Sequence, residues 1–317
     1  MSLTFTPATK TALKARVALA GTAGCGKTWT ALLWARAFAG NAGRIAVIDT
    51  ERGSASKYAK TAKFPQGFAF DTLRPDKFSP ELLTEALATA GSSGYDVVVV
   101  DSLSHFWMGT GGMLEAVDNV TRRAGAASAF SSGWKEMRPH ERRMLDAILG
   151  YPGHVIVTMR TKTEWVMETN ARGKQQPTRV GTKAEQRDGI EFEFDVVGEM
   201  DLEHTLVVSK SRCPALADAV IQKPGPEVAL ALLDWLDDGE APTDTAKGIR
   251  DELLANPAAT TDEITGYANR AKAAGLLGTA LVDEYGDTVT LGDWLRARWN
   301  EANEAAKAPA AGGEQSE

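Results

Sequence analysis

Eight consecutive residues carry the most specific chemistry in this sequence: Gly21, Thr22, Ala23, Gly24, Cys25, Gly26, Lys27 and Thr28. They fit the pattern G-x-x-x-x-G-K-[ST], after an apolar β-like run at 17–20 and before a helix-like run at 29–38. Glycines let the backbone curl until successive N–H groups converge on an anion, and the following helix adds its positive end. In such a loop the amides from Gly21 through Trp29 cradle phosphates. Lys27 reaches the β- and γ-phosphates, and the Thr28 hydroxyl ligates Mg²⁺. A plain strand-to-helix turn needs one or two glycines and no Lys-Thr pair. The motif therefore predicts a bound nucleoside triphosphate.

Acidic residues at the ends of two other apolar runs extend this chemistry. Residues 44–48 read as a buried parallel strand that ends in Asp49-Thr50-Glu51, and 95–100 as a second that ends in Asp101. In open α/β sheets the ligand lies at the carboxyl ends of the strands, so these carboxylates are expected to face the triphosphate. Asp101 is the candidate second Mg²⁺ ligand. The next residue is Ser102, which cannot supply a base, so Glu51 becomes the candidate for polarising water.

The elements that must hold these groups are those of an α/β fold, with a mostly parallel central sheet flanked by helices. Four β-branched residues, Val97 to Val100, suit a strand covered on both faces. A short third strand is expected at 67–70, and helices at 80–90, 134–149 and 227–236. Residues 104–132 are glycine-rich with aromatics and read as an excursion, helical near 113–123, with a mobile loop that touches a polymer as the sharper reading. A strand at 154–158 leads into a basic hairpin. There Arg160, Lys162, Arg172, Lys174, Arg179, Lys183 and Arg187 outnumber the acids, and Trp165 is a stacking candidate. Residues 191–197 and 205–209 are expected to pair antiparallel, followed by Lys210-Ser211-Arg212, whose two cations could reach a phosphate of this subunit or of a neighbour. The domain plan is an N-terminal arm (1–14), an ATPase core (15–236), a linker (237–246), a small helical module (247–306) and a disordered tail (307–317).

Composition narrows the class. The chain has 317 residues, 43% apolar and 24% charged, as in soluble globular proteins. No apolar run is long enough for a membrane span and the first residues have no secretory core, so a membrane partner is not expected. The two cysteines, Cys25 and Cys213, lie far apart, which points to the reducing cytoplasm. The net charge of −7 is uneven. From Asp234 onward there are 17 acids against 7 bases, so the preceding part is slightly basic and local anion binding by the core is allowed.

Taken together, these segments resemble the RecA-like core ATPases, and specifically the phage-encoded RecA-like proteins of the Sak type, which act in single-strand annealing and recombination. The resemblance covers roughly residues 13–236. It rests on the P-loop, on Ile48-Asp49-Thr50-Glu51, on Val100-Asp101-Ser102, on the segment 181–191, and on Lys210-Ser211-Arg212-Cys213-Pro214. Many AAA+ motors place a catalytic Glu directly after the second motif's Asp, whereas RecA-like proteins place it on the neighbouring strand, where Glu51 stands.

The resemblance implies a DNA-stimulated ATPase that uses ATP and Mg²⁺ at subunit interfaces of a filament or ring. Its partners would be single-stranded DNA, further copies of itself and a single-strand-binding protein, in the host cytoplasm. It implies that Glu51 activates water, that Tyr58 stacks on adenine, and that Lys210 and Arg212 act across the interface on the γ-phosphate. The family's base-contacting Asp is Ala55 here, and its γ-phosphate-sensing Gln falls near Met159 or Arg160. The basic hairpin and the 104–132 excursion lie where RecA has its DNA-contacting loops. Phe5-Thr6-Pro7-Ala8 has the F-x-x-A form of a subunit-docking motif. Two rival readings stay open: a nucleotide-switched loader or binding module with negligible turnover, and a hexameric helicase-type motor.

Overall fold

The computed structural model describes residues 13–124, 129–169, 175–239 and 244–307. Strands β1 (Arg16–Gly21), β2 (Ile45–Asp49), β3 (Asp71–Leu73), β4 (Val97–Asp101), β5 (His154–Thr169), β7 (Val196–Met200), β8 (Thr205–Ser211) and β9 (Val220–Gln222) form one sheet in the order β3-β2-β4-β5-β1-β7-β8-β9. The first six positions in that order run parallel, while β8 and β9 are antiparallel. Strand β6 (Gln175–Ala184) branches off β5 as its hairpin partner. One strand, β5, therefore separates the P-loop strand β1 from β4.

The alternation of side chains along the central strands sorts them between two cores. Val17 and Leu19 of β1, Val97 and Val99 of β4 and Ile156 of β5 face one side with Leu32 and Trp34 of α1 (Lys27–Ala39) and Leu232 of α6 (Pro226–Asp237). Ala18, Val98, Val100, Val155 and Val157 face the other. They meet Leu83 and Leu87 of α2 (Pro80–Ser92), Phe106 of α3 (Leu103–Met108) and Ile148 of α5 (Ala129–Leu149). A strand buried on both faces has no polar position to spare, which is why these segments read as unbroken apolar runs. Trp34 also donates its indole N–H to the Gly225 carbonyl at 2.9 Å, fixing the turn before α6 against α1.

Three expectations change. The third strand is Asp71–Leu73 rather than 67–70, because Phe68 turns inward to pack on Trp29 with ring centroids 5.0 Å apart. The 104–132 excursion is largely helical: Gly109, Gly111 and Gly112 make only the turn between α3 and α4 (Met113–Ala124). Met113 and Val117 of α4 pack with Met137 of α5 beneath Trp107 and Trp134, a small core of their own. Residues Ile190–Glu193 form a short 3₁₀ turn, so of the expected 191–197 strand only Val196 and Val197 pair with β8, and the strand continues instead to Met200.

The C-terminal module holds α7 (Ala246–Leu254), α8 (Thr261–Ala273) and α9 (Leu291–Lys307), as the helical patterns predict, around Ile249, Leu253, Ile264, Leu291 and Trp294. It also contains a two-stranded hairpin, β10 (Ala280–Val282) and β11 (Thr288–Thr290), which the helical reading lacked and which packs on α2. Trp294 is buried with its indole on Glu284 at 3.0 Å, whereas Trp299 is exposed. Among the described residues, no helix is long and apolar enough to cross a membrane. Phe5-Thr6-Pro7-Ala8, the tail beyond Lys307 and residues 240–243 of the linker lie outside the described residues.

Candidate nucleotide site

The P-loop has the backbone that its glycines require. Gly26 caps α1 at φ 98°, a left-handed conformation that side chains disfavour. A Cβ at Gly21 would stand 2.5 Å from the Met200 carbonyl oxygen and 2.6 Å from Cys25 Sγ, so only glycine fits. Lys27 Nζ donates to the Gly21 and Thr22 carbonyls, each at 2.8 Å, across the mouth of the loop.

Parallel pairing brings the acids of β2 and β4 to this same end of the sheet, with Asp49 in register with Asp101. The Thr28 hydroxyl donates to Asp101 Oδ2 at 2.7 Å, and Thr158 on the intervening β5 donates to Oδ1. Burial pushes the Asp101 carboxyl up, with Glu51 and Asp49 adding to the effect and the two threonines opposing it. Among the described residues no cationic side chain hydrogen-bonds Asp101, and the buried Asp49 Oδ2 has no partner at all. A surplus of buried carboxylate beside a threonine hydroxyl is the donor set that a hard divalent cation takes. Thr28 and Asp101 thus fit Mg²⁺, and the loop amides with Lys27 fit its triphosphate. The Asp101–Ser102 peptide bond is cis.

Glu51 projects from the end of β2 into a bidentate ion pair with Arg160, from Nε at 2.9 Å and from Nη2 at 2.6 Å. Burial would raise the Glu51 carboxyl, but hydrogen bonding and charge from Arg160, with smaller contributions from His105 and Lys27, hold it below the ordinary carboxylate range. Behind it, Thr50 Oγ1 lies 2.6 Å from His105 Nδ1 and accepts from the Ser102 N–H at 2.7 Å. The Thr50 N–H donates to the Asp101 carbonyl at 2.8 Å. These bonds tie the Glu51 strand end to the Asp101 strand end.

Beside the loop lies a cleft of about 630 Å³. Thr28, Trp29, Ser54 and Tyr58 form one wall, and Met200, His204, Lys223 and Gly225 the other. Trp29 meets Tyr58 edge-on at 5.5 Å. Ala55, at the family's Asp position, is fully buried in the core, which leaves Ser54 and Tyr58 as the side chains on that wall.

The remaining predicted cations are dispersed. Lys210 on β8 is in register with Val197, while Gly21 is in register with Met200, so both Lys210 and Arg212 sit toward the opposite end of the sheet from the P-loop. Lys210 Nζ donates to the carbonyls of Glu191, Phe192 and Phe194, and Arg212 pairs with Asp195 at 2.9 Å. They do not reach the triphosphate site of their own subunit. Arg160 stands at the nucleotide site, and Arg187 pairs with Glu141 of α5 at 3.3 Å. Lys162, Arg179 and Lys183 lie on the hairpin strands, with Lys162 opposite Lys183 and Trp165 opposite Arg179 in register. Arg172 and Lys174 lie outside the described residues.

Sequence reasoning missed Thr158, His105, His204 and Lys223 at the site, and the pairing of Arg160 with Glu51. Thr158 had a signal, as the polar residue that ends an apolar strand. His204 and Lys223 had none, since nothing local marks a turn that returns to a distant loop.

No curated protein matches the chain in sequence. A family model described as an AAA domain, AAA_24, matches residues 13–218, which is about two thirds of the chain and spans β1 through β8 with the P-loop, Glu51 and Asp101. With its motif residues assembled at one end of a parallel sheet, the chain belongs to this AAA domain family of P-loop NTPases.

Proposed function

We propose that the chain is an ATP-hydrolysing, single-stranded-DNA-binding protein of the RecA-like, Sak-type class that works as an oligomer in annealing or recombination. The observation that carries this reading is the origin of the catalytic carboxylate. Ser102, after Asp101, is buried with a hydroxyl that has no partner among the described residues, while Glu51 enters the site from the adjacent strand, the RecA-like arrangement. In the proposed reaction a water attacks the γ-phosphorus in line, its proton passes to Glu51, and the bond to the β-phosphate oxygen breaks to give ADP and phosphate. Thr28 and Asp101 would hold Mg²⁺, which would supply charge neutralisation at the phosphates. Lys27 and the loop amides stabilise the transferring group.

The distance of Lys210 and Arg212 from their own P-loop is compatible with oligomerisation, since a phosphate contact by either would have to be made on a neighbour's nucleotide. DNA binding is supported by the hairpin register. It sets Lys162 opposite Lys183, so two basic residues share one level of the hairpin, where a polyanion would be attracted. The test is steady-state hydrolysis with and without single-stranded DNA. Stimulation that disappears in Lys27→Ala and Glu51→Gln is the expected result, and rates unchanged in both variants would reassign the site.

A second reading, a nucleotide-switched binding module with little turnover, has one observation in its favour. The bidentate Arg160 pair occupies both oxygens of Glu51, the carboxylate placed to accept the proton. Single-turnover measurement separates the two readings: ATP that stays bound and uncleaved with DNA present favours the switch.

A further inference from the structure

The cleft wall that faces the P-loop is built from two turns held in an uncommon conformation. His204, in the turn between β7 and β8, has φ 64°, and Lys223, directly after β9, has φ 51°. Non-glycine residues seldom adopt this left-handed region, and where they do the surrounding structure imposes it. Here the imposing contacts are visible. Asp201 Oδ1 accepts from the Glu203 and Thr205 N–H groups at 2.9 and 2.8 Å, closing the first turn. The Lys223 N–H donates to the His204 carbonyl at 2.8 Å, joining the two turns, and the Trp34 indole anchors Gly225 just beyond.

The pair meets the P-loop at one place. His204 Nδ1 lies 3.1 Å from the Cys25 carbonyl, so Nδ1 carries the proton there and Nε2 is left without a partner among the described residues. A Cβ on Gly26 would come within 3.3 Å of the same ring nitrogen. Lys223 Nζ makes no hydrogen bond or ion pair among the described residues, although the residue lines the cleft opposite Thr28 and Trp29.

We propose that His204 and Lys223 form a second jaw, in the same subunit, that grips the sugar and α-phosphate of the nucleotide. The proposal rests on reading this cleft as the nucleotide site. The P-loop amides cradle the phosphates from one side and Lys27 reaches the β- and γ-phosphates, while Tyr58 lines the cleft beside Trp29. The stretch of ligand between those two contacts is the sugar with its α-phosphate, which ATP and ADP share. A lysine on an α-phosphate oxygen and an imidazole nitrogen on a sugar hydroxyl complete that stretch with a charge-assisted and a neutral hydrogen bond.

The experiment titrates the full-length protein by calorimetry with unmodified ADP and with a non-hydrolysable ATP analogue whose sugar is unmodified, using wild type, His204→Asn, Lys223→Asn and Lys223→Arg. Asparagine tolerates the left-handed region better than histidine or lysine, so both Asn variants should keep or raise the thermal midpoint. Lys223→Gly serves in place of Lys223→Asn if that variant fails to fold, since glycine carries no penalty at this φ. The expected result for Lys223→Asn is about tenfold weaker binding or more, equal for ADP and ATP, with Lys223→Arg restoring most of it. In turnover the loss should fall more on KM than on kcat. Folded Asn or Gly variants that bind with wild-type affinity would overturn the second jaw, as would a loss confined to the ATP analogue. Failure of wild type to bind either nucleotide would instead overturn the reading of the cleft.

Discussion

The two ends of the central sheet handle charge in opposite ways. At the carboxyl end Asp49, Glu51 and Asp101 gather at one sheet edge, Arg160 pairs with Glu51, and among the described residues Asp49 Oδ2 is left without a partner. Toward the amino end the surplus is cationic and the protein consumes it. Arg16 is buried, donating to the carbonyls of Leu149, Tyr151 and Gly153, and burial lowers its pKa to about 10 against the pull of Asp195. Lys210 and Arg212 are likewise bonded to carbonyls and to Asp195. The difference separates charge kept for a ligand from charge spent on the fold. It also puts a condition on the proposed trans role of Lys210 and Arg212, which requires both to leave internal partners that already satisfy them.

The most severe break of this contrast is at the ligand end. Lys27→Ala or Glu51→Gln should lower hydrolysis by about 10²-fold or more with little change in the unfolding midpoint, as read by phosphate release and urea titration. A large stability loss in either would mean that these charges also belong to the fold. Next in size is the opposite substitution, Arg16→Met, which strands several buried carbonyls. It should cost about 2–4 kcal/mol in urea unfolding, and an unchanged midpoint would show that the loops at the amino end do not depend on that cation.

His154 sharpens the picture of the same end. It is stacked on Phe38 and accepts the Ala15 N–H at Nδ1, 3.0 Å away, and burial pushes its pKa down to about 3 from an ordinary 6.5. Above pH 6.5 the ring is neutral in both folded and unfolded chains. Below it the unfolded chain takes up a proton that the folded chain refuses, so stability is full at neutral pH and falls as pH drops toward 3. The loss attributable to this group should be on the order of 2 kcal/mol by pH 5. His154→Gln should flatten that part of the pH profile, and an equal slope in both proteins would remove His154 as its source. The smallest effect concerns Arg160. Arg160→Ala should release Glu51 and raise DNA-independent hydrolysis a few-fold, whereas a fall in rate would reassign Arg160 to the phosphates.

Much of the ligand end was legible because each of its acids closes an apolar strand, and strand ends in a parallel sheet share one edge. The contacts that join those acids were not. The pair of Glu51 with Arg160 links residues 109 apart in the chain, and it exists because β5 lies beside β4 in a sheet order that no local pattern encodes. The glycines of 104–112 suggested a loose excursion, but the apolar spacing of Met113 and Val117 governs the adjoining segment and makes α4 a packed helix. The β10–β11 hairpin escaped notice because its strands are three residues each, too short for alternation to register. Its one cue was Gly286 at φ 88° in an acidic turn.

Strand β5 runs without interruption from Thr158 on Asp101, past Arg160 on Glu51, to Thr169 in the basic hairpin. From Arg160 to Thr169 that is a beam about 30 Å long at about 3.3 Å per residue. Mechanically it is a lever with its fulcrum beside the P-loop acids, on which a rotation of about 2° at the base moves the outer end by about 1 Å. The register shift between Glu164 and Trp165 is the one softer joint along it. A load on the hairpin is therefore felt as torque on the two residues that hold Asp101 and Glu51, and stiffening or lengthening that joint changes the gearing between them without touching either contact.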